Sequence, residues 1–393
     1  MALDPISRED LRRRFVERLA KVKPKTEAAF QFQDSDVPPF LVNSAFYHLF
    51  GIDKQLIPDG YYSDPRIMTE FQEECYYEQI TAIDDDFVPY LVPWFGTGVL
   101  PSALGSQIEF LEKEDPAVNP RHFPVRDEED IRHLKIADPE TDGLMPKVLD
   151  FVRYMKQHSV LPVGITDCQG PLATANQLMG YDKLFYLMKD NPHAVHELMD
   201  KISESLITWI KKQKQVLGER LTECIGDQQV YLGTNAGIWM SDDDAVLVSP
   251  RIYAEFVVPY NAKVLSAFGG GIIHYCGNAN HQIDNFLNTQ GLLGLNVYSL
   301  FNIRSLRELK ARVDGRLVLI ACDFTPLEYQ LYYRSLLEQV SCRGLIIDSQ
   351  FSPIVSLTSE GKYEMVNRHR TQGRREVFEF ISGLLIGKEQ EIP

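Results

Sequence analysis

From about residue 40 onward the chain alternates between two patterns. Short apolar runs end in small or polar residues, and longer segments between them repeat their apolar positions at three and four. The runs are Phe40 to Phe46, Phe87 to Trp94, Leu161 to Thr166, Val230 to Trp239, Gly271 to Cys276, Leu293 to Tyr298, Leu317 to Cys322 and Leu345 to Ile347. Each reads as a strand. Among the helices, the segment after Asn191 and Pro192 is the clearest. Val195, Leu198, Met199, Ile202, Leu206 and Ile210 form one apolar stripe there, with Asn191 as the cap and Pro192 in the first turn. Ser249-Pro250 marks a second capped start, leading into RIYAEFVVPYNAKVLSAF.

Strand and helix in alternation imply an α/β fold with a parallel sheet. Eight such units close most simply into a (β/α)8 TIM barrel. A doubly wound open sheet is the rival, but no early strand leads into GxGxxG. Residues 1–35 read as a helical N-terminal extension, and 36–393 as a single barrel domain. The basic stretch from Arg12 to Lys25 reads as a solvated helix face. Lys113 to Thr141, acidic and proline-containing, reads as an excursion from the core. No repeat of solenoid period is present.

Composition narrows the function. A formal net charge of −15 gives no footprint for nucleic acid or an anionic membrane surface. No segment has the apolar length of a membrane span, and the charged N-terminus does not read as a secretory signal. The cysteines are scattered without a CxxC pair, which fits reduced thiols in a cytoplasm. GxSxG, P-loop and HExxH patterns are absent, which removes the serine hydrolase, P-loop phosphotransferase and zincin classes.

Chemistry concentrates at expected strand ends. In GGGIIHYCGN, His274 and Cys276 are two apart on one strand, so their side chains share a face. An imidazole and a thiolate so placed can share a zinc ion; the plainer alternative is a buried thiol beside a hydrogen-bonded histidine. Cys322, closing RLVLIAC two strands on, is the candidate further ligand, and Cys168 a weaker one. Asp242, Asp243 and Asp244 sit on the loop before the Ser249-Pro250 helix. They suit either cation binding and base chemistry or a solvated helix entry. Trp94, Asn296, Ser349 and Gln350 are candidate substrate contacts at the same rim. Asp84, Asp85 and Asp86 fall at the opposite end of the barrel and read as solvated. Cys75, Cys224 and Cys342 fall on or beside expected helices and read as packing.

Together, GPLATANQLMGYDKLFYLMKDNPHAVHELMDKI, SDDDAVLVSPRIYAEFVVPYNAKV, IIHYCGN and LVLIACDFTPLEY resemble the uroporphyrinogen decarboxylase superfamily from about Phe40 to the C-terminus. That superfamily includes the decarboxylase of haem biosynthesis and zinc methyltransferases that take methyl groups from corrinoids. The decarboxylases carry an arginine-rich RQAGR after the first strand, where this chain has FLVNSAFYHLFG. An octa-anionic porphyrinogen would lack its arginine clamp. The methyltransferase pattern H-x-C is matched by His274 and Cys276. Its later cysteine, in a G-C-G turn, is replaced by Asp348-Ser349-Gln350-Phe351-Ser352-Pro353.

The resemblance therefore implies a zinc-dependent transfer of a methyl group from a corrinoid, carried by a partner protein, to a thiol-type small molecule. Metal-free decarboxylation in porphyrin metabolism is the first rival, and non-catalytic corrinoid or tetrapyrrole binding the second. A homodimer is also implied.

Overall fold

The computed structural model describes residues 3–43, 57–111, 114–358, 360 and 362–390. The first expected strand therefore lies partly outside the described residues, as do His48 and the rest of the stretch that lacks the arginine clamp. Among the described residues no helix is long and apolar enough to cross a membrane.

The chain opens with helix α1 (Pro5–Phe30), capped by Asp4. At its centre is a six-stranded parallel sheet. Its strands are β1 (Phe40–Asn43), β2 (Ile238–Ser241), β3 (Gly271–Cys276), β4 (Leu292–Tyr298), β5 (Val318–Phe324) and β6 (Leu345–Gln350). They lie in the order β1-β6-β5-β4-β3-β2. Both faces are buried, as a parallel sheet covered by crossover helices requires. Ile272, Ile320 and Ile346 fill one face; Ile273, Leu295 and Leu319 fill the other. Gly271 is needed where β3 meets β2, since a Cβ there would lie 2.4 Å from the carbonyl oxygen of Ile238.

The crossover helices follow the sequence pattern, with one break. Helix α2 (Pro192–Leu217) is capped by Asn191, whose side chain accepts from the Ala194 N–H at 3.3 Å. All six residues of its expected stripe are buried. The helix after Ser249 divides at Val257 into α3 (Pro250–Phe256) and α4 (Val258–Ser266). Pro259 lacks the N–H that would continue the ladder, so one helix becomes two. Helix α5 (Tyr329–Gln339) packs behind β5, and α6 (Arg370–Gln390) closes the chain.

Two expected strands, Phe87 to Trp94 and Leu161 to Thr166, are not regular strands. They bond in place through isolated parallel bridges, Leu91 with Val163 and Gln169 with Ser241. Pro89, Pro93 and Pro162 remove the donors that a continuous ladder needs. Backbone bonds nevertheless tie these runs to both sheet edges. The Asp86 N–H donates to Phe40 O at 3.0 Å, and the Ser241 N–H to Cys168 O at 2.9 Å. The expected strand Val230 to Trp239 is also different. Cys224–Asp227 and Val230–Gly233 form an antiparallel hairpin, and β2 starts only at Ile238. The turn residues Gln228 and Gln229 both have positive φ, 43° and 67°. That is the geometry of a tight hairpin turn, built here without the Asn-Gly pair that announces one in a sequence. Cys224 accordingly lies on a strand, not beside a helix, and is buried.

The acidic triplet at residues 84–86 corrects a second expectation. Asp84 is exposed, but Asp85 and Asp86 are buried and join α1 to the start of β1. Asp85 accepts from Arg18 Nη1 at 2.9 Å and from the Val42 N–H at 2.9 Å. Asp86 accepts from Lys25 Nζ at 2.8 Å and from the Phe40 N–H at 3.1 Å. Arg18 is itself buried and donates also to the carbonyls of Ile80 and Ile83, at the end of helix Pro65–Ala82. A cation there satisfies carbonyls that the helix end leaves open. The basic stretch is thus only partly a solvated face. Replacing Arg18 by alanine removes the ion-pair partner of buried Asp85 and the donor to the Ile80 and Ile83 carbonyls, and should cost about 3 kcal/mol of stability. Urea unfolding of wild type and Arg18→Ala measures this; a loss under about 1 kcal/mol, the level of an exposed pair, would show the contact to be a surface one.

Candidate functional site

Side chains alternate along a strand, so every second residue of β3 to β6 points to the same face. Register aligns Cys276 with Tyr298, Tyr298 with Cys322, and Cys322 with Asp348. Near the C-terminal ends of the strands this face carries His274, Cys276, Asn296, Tyr298, Cys322, Asp348 and Gln350, joined across strands by hydrogen bonds and ring contacts. The opposite face meets the helices: Asp323 accepts from Tyr332 of α5 at 2.6 Å.

His274, Cys276 and Asp243 are brought together. One ligand atom from each lies within 4.8 Å of the other two. His274 Nε2 is 3.5 Å from Cys276 Sγ and 3.6 Å from Asp243 Oδ1. Asp243 is placed by a backbone bond, accepting from the Cys276 N–H at 2.8 Å. Asn296 fixes the histidine. Its side-chain oxygen accepts from His274 Nδ1, while its Nδ2 donates to Ile320 O at 3.4 Å. The proton therefore sits on Nδ1, and the Nε2 lone pair faces the cysteine and aspartate. A metal-binding histidine is commonly oriented this way, by an acceptor behind its distal nitrogen.

The electrostatics agree with that assignment. Burial pushes the His274 pKa down, against the pull of Asp243, which keeps the imidazole neutral. Burial, and then the Asp243 charge, push the Cys276 thiol up. A divalent cation would reverse that last effect, since a coordinating thiol is deprotonated. Imidazole nitrogen, thiolate sulfur and carboxylate oxygen are a donor set that suits zinc, with three protein ligands and room for one more.

The other expected residues are distributed differently. Asp242 is fully buried and faces the helices: it accepts from Tyr253 at 2.6 Å and Asn261 at 2.9 Å, and burial raises its pKa to about 6. Its backbone N–H donates to His274 O at 2.7 Å, so it anchors the loop. Asp244 is buried and accepts from the Tyr181 hydroxyl. Of the three aspartates, only Asp243 reaches the cluster. Cys322 stays out of it. Tyr298 lies between Cys276 and Cys322 in the register, and the Cys322 thiol donates to Asp348 Oδ2 at 3.1 Å. Cys168 is buried and donates to Thr166 O at 3.3 Å.

Ser349 corrects a further expectation. It bonds Thr325 at 2.7 Å and the Tyr333 hydroxyl of α5, on the helix side. Adjacent strand residues cannot both face the site, so Gln350 does and Ser349 does not. Asn296 touches His274 and is fully buried, which makes it a support for the histidine more than a surface for substrate. Trp94 is half-buried and donates to Asp115 at 2.9 Å. Asp348 and Asp167 were missed. Burial raises Asp348 to about 7 and Asp167 to about 6, the latter also through Asp243. Alternation offered a signal for Asp348, two residues before Gln350; Asp167 had none.

Comparison with known proteins follows the same line. Residues 91–320, more than half of the chain, match the family model described as uroporphyrinogen decarboxylase (URO-D). A uroporphyrinogen decarboxylase of Carboxydothermus hydrogenoformans is 24% identical over 208 residues, 50% of this chain and 51% of that protein. One from Syntrophotalea carbinolica is 27% identical over 192 residues, 46% of this chain and 49% of that protein. The chain thus spans about half the length of the curated relatives it matches. Among solved structures, a methyltransferase from Methanosarcina mazei superposes with a TM-score of 0.65 at 15% identity, covering 92% of this chain and 98% of that one. At that identity the likeness is one of fold. On the extent of the family match, this chain belongs to the uroporphyrinogen decarboxylase (URO-D) family.

Proposed function

We propose that this chain is a zinc-dependent methyltransferase on a closed (β/α)8 barrel, passing a methyl group from a corrinoid on a partner protein to a small thiol. The barrel reading rests on the family and on the edge bonds: residues 86–92 and 162–170 would complete the ring between β1 and β2. The observation that carries the chemical reading is the convergence of Asp243, His274 and Cys276 within 4.8 Å, with His274 turned by Asn296 to present Nε2. Zinc, when bound, supplies a Lewis acid that lowers the pKa of an acceptor thiol into the neutral range.

The chain's own residues have separate tasks. His274, Cys276 and Asp243 hold the ion. Asn296 keeps the imidazole in the required tautomer. Asp242, through Tyr253 and Asn261, holds the loop so that Asp243 faces the cluster. Asp243, from a different loop, would be the third ligand where the family's methyltransferases use a later cysteine, and Cys322 is engaged by Asp348 instead. Metal-free decarboxylation is the second reading. It is favoured by the names of the curated relatives and by Asp167, whose raised pKa makes it a usable proton donor near neutral pH.

Metal analysis of protein purified without chelator separates the two. About one zinc per chain is expected, lost in Cys276→Ala and in His274→Ala. No zinc in wild type after reconstitution rejects the methyltransferase mechanism and leaves the metal-free one. Asn296→Leu should keep the ligands but weaken zinc affinity about 10- to 100-fold, read by competition with a chromogenic chelator. Unchanged affinity would mean that the Asn296 bond does not orient the ligand.

A further inference from the structure

The face that carries the candidate metal centre holds a second polar group, which the metal chemistry does not use. Asp348 and Gln350 of β6 meet Cys322 of β5 there. Cys322 Sγ donates to Asp348 Oδ2 at 3.1 Å, and Gln350 Nε2 reaches both Cys322 Sγ at 3.3 Å and Asp348 Oδ2 at 3.4 Å. Asn43 donates to the other Asp348 oxygen. The amide nitrogen of Gln350 is thus committed to this triangle. Gln350 is 1% exposed, and its Oε1 has no hydrogen-bond donor among the described residues. A buried acceptor left without a donor costs about 1–3 kcal/mol, so a ligand that supplied a donor here would recover that cost.

The charge on this face is one-sided. Neither Asp348 nor Asp243 is paired with a lysine or arginine among the described residues. Tyr298 connects the two groups. It is the register partner of both Cys276 and Cys322, and its ring stands edge-on to His274 with centroids 5.4 Å apart.

We infer that Asp348 and Gln350 form a subsite for a protonated amine, so that the small thiol of the proposed reaction is an aminothiol. The sulfur end would face Asp243, His274 and Cys276, and the ammonium would face β6. An ammonium carries three donors and no acceptor, which suits a carboxylate and an unpaired amide oxygen side by side. A thiol bearing a carboxylate or sulfonate would instead meet like charge in a buried setting. The thiol half of this inference rests on the proposed function; the ammonium half does not need the metal.

Calorimetric titration of zinc-loaded protein with 2-aminoethanethiol, 2-mercaptoethanol and 3-mercaptopropionate tests it. The aminothiol should bind at least about tenfold more tightly than the neutral thiol, and the anionic thiol most weakly. Asp348→Asn, with zinc content unchanged, should shrink the preference for the amine to under about threefold. Gln350→Met keeps the volume and removes the acceptor, and should reduce the preference in the same direction if Asp348→Asn fails to fold. Equal binding of the neutral and amino thiols, or a preference that survives both substitutions, overturns the subsite. If the protein takes up no zinc, ethylamine and ethanol titrated onto metal-free protein decide the matter. Saturable ethylamine binding weakened by Asp348→Asn upholds the subsite while the metal reading falls; no preference for ethylamine over ethanol overturns it.

Discussion

The alternation of side chains along parallel strands is the constraint on which this site depends. Four adjacent strands, β3 to β6, end at one level, and their register aligns Cys276, Tyr298, Cys322 and Asp348. Every second residue is therefore delivered to the same face without a dedicated loop for each. The same rule sends Asp323 and Ser349 to the helix side, where Tyr332 and Tyr333 of α5 engage them. Chemistry and packing are separated by parity along the strand.

Orientation is then set by groups that stand behind the reactive ones. Asn296 Oδ1 accepts a hydrogen bond from His274 Nδ1, and Asn296 Nδ2 donates to Ile320 O in turn. The Asp242 carboxylate is tied to Tyr253 and Asn261, and its N–H to His274 O, which leaves Asp243 next in line to face the cluster. These supports are buried, so their hydrogen bonds compete little with water and hold their geometry before any ligand arrives. Burial also sets the protonation pattern. The pKa of the His274 imidazole is pushed down, that of the Cys276 thiol up, and burial raises Asp348 and Asp167, with neighbouring carboxylates adding to the rise.

At the other end of the sheet, charge serves structure. Arg18 and Lys25 of α1 meet Asp85 and Asp86, which also take the N–H groups of Val42 and Phe40. One acidic triplet, at 84–86, thus fastens the N-terminal helix to β1. The other, at 242–244, anchors and completes the candidate site. The two look alike in sequence, and what separates them is the end of the sheet at which each falls.

The sequence by itself determined the α/β class, five of the six sheet strands to within a few residues, the capped helices at Asn191 and Ser249, and the pairing of His274 with Cys276. These follow from local rules: periodicity, capping chemistry and the two-residue repeat of a strand. Only the tertiary structure decided which further group joins that pair. Cys322 and Asp243 were equally available in one dimension. Strand register placed a tyrosine beside the first, and a backbone hydrogen bond from Cys276 drew in the second. The burial of Asp85 and Asp86 was likewise fixed by neighbours distant in the chain, Arg18, Lys25 and the backbone of β1. Which face a residue presents is local physics; what waits on that face is not.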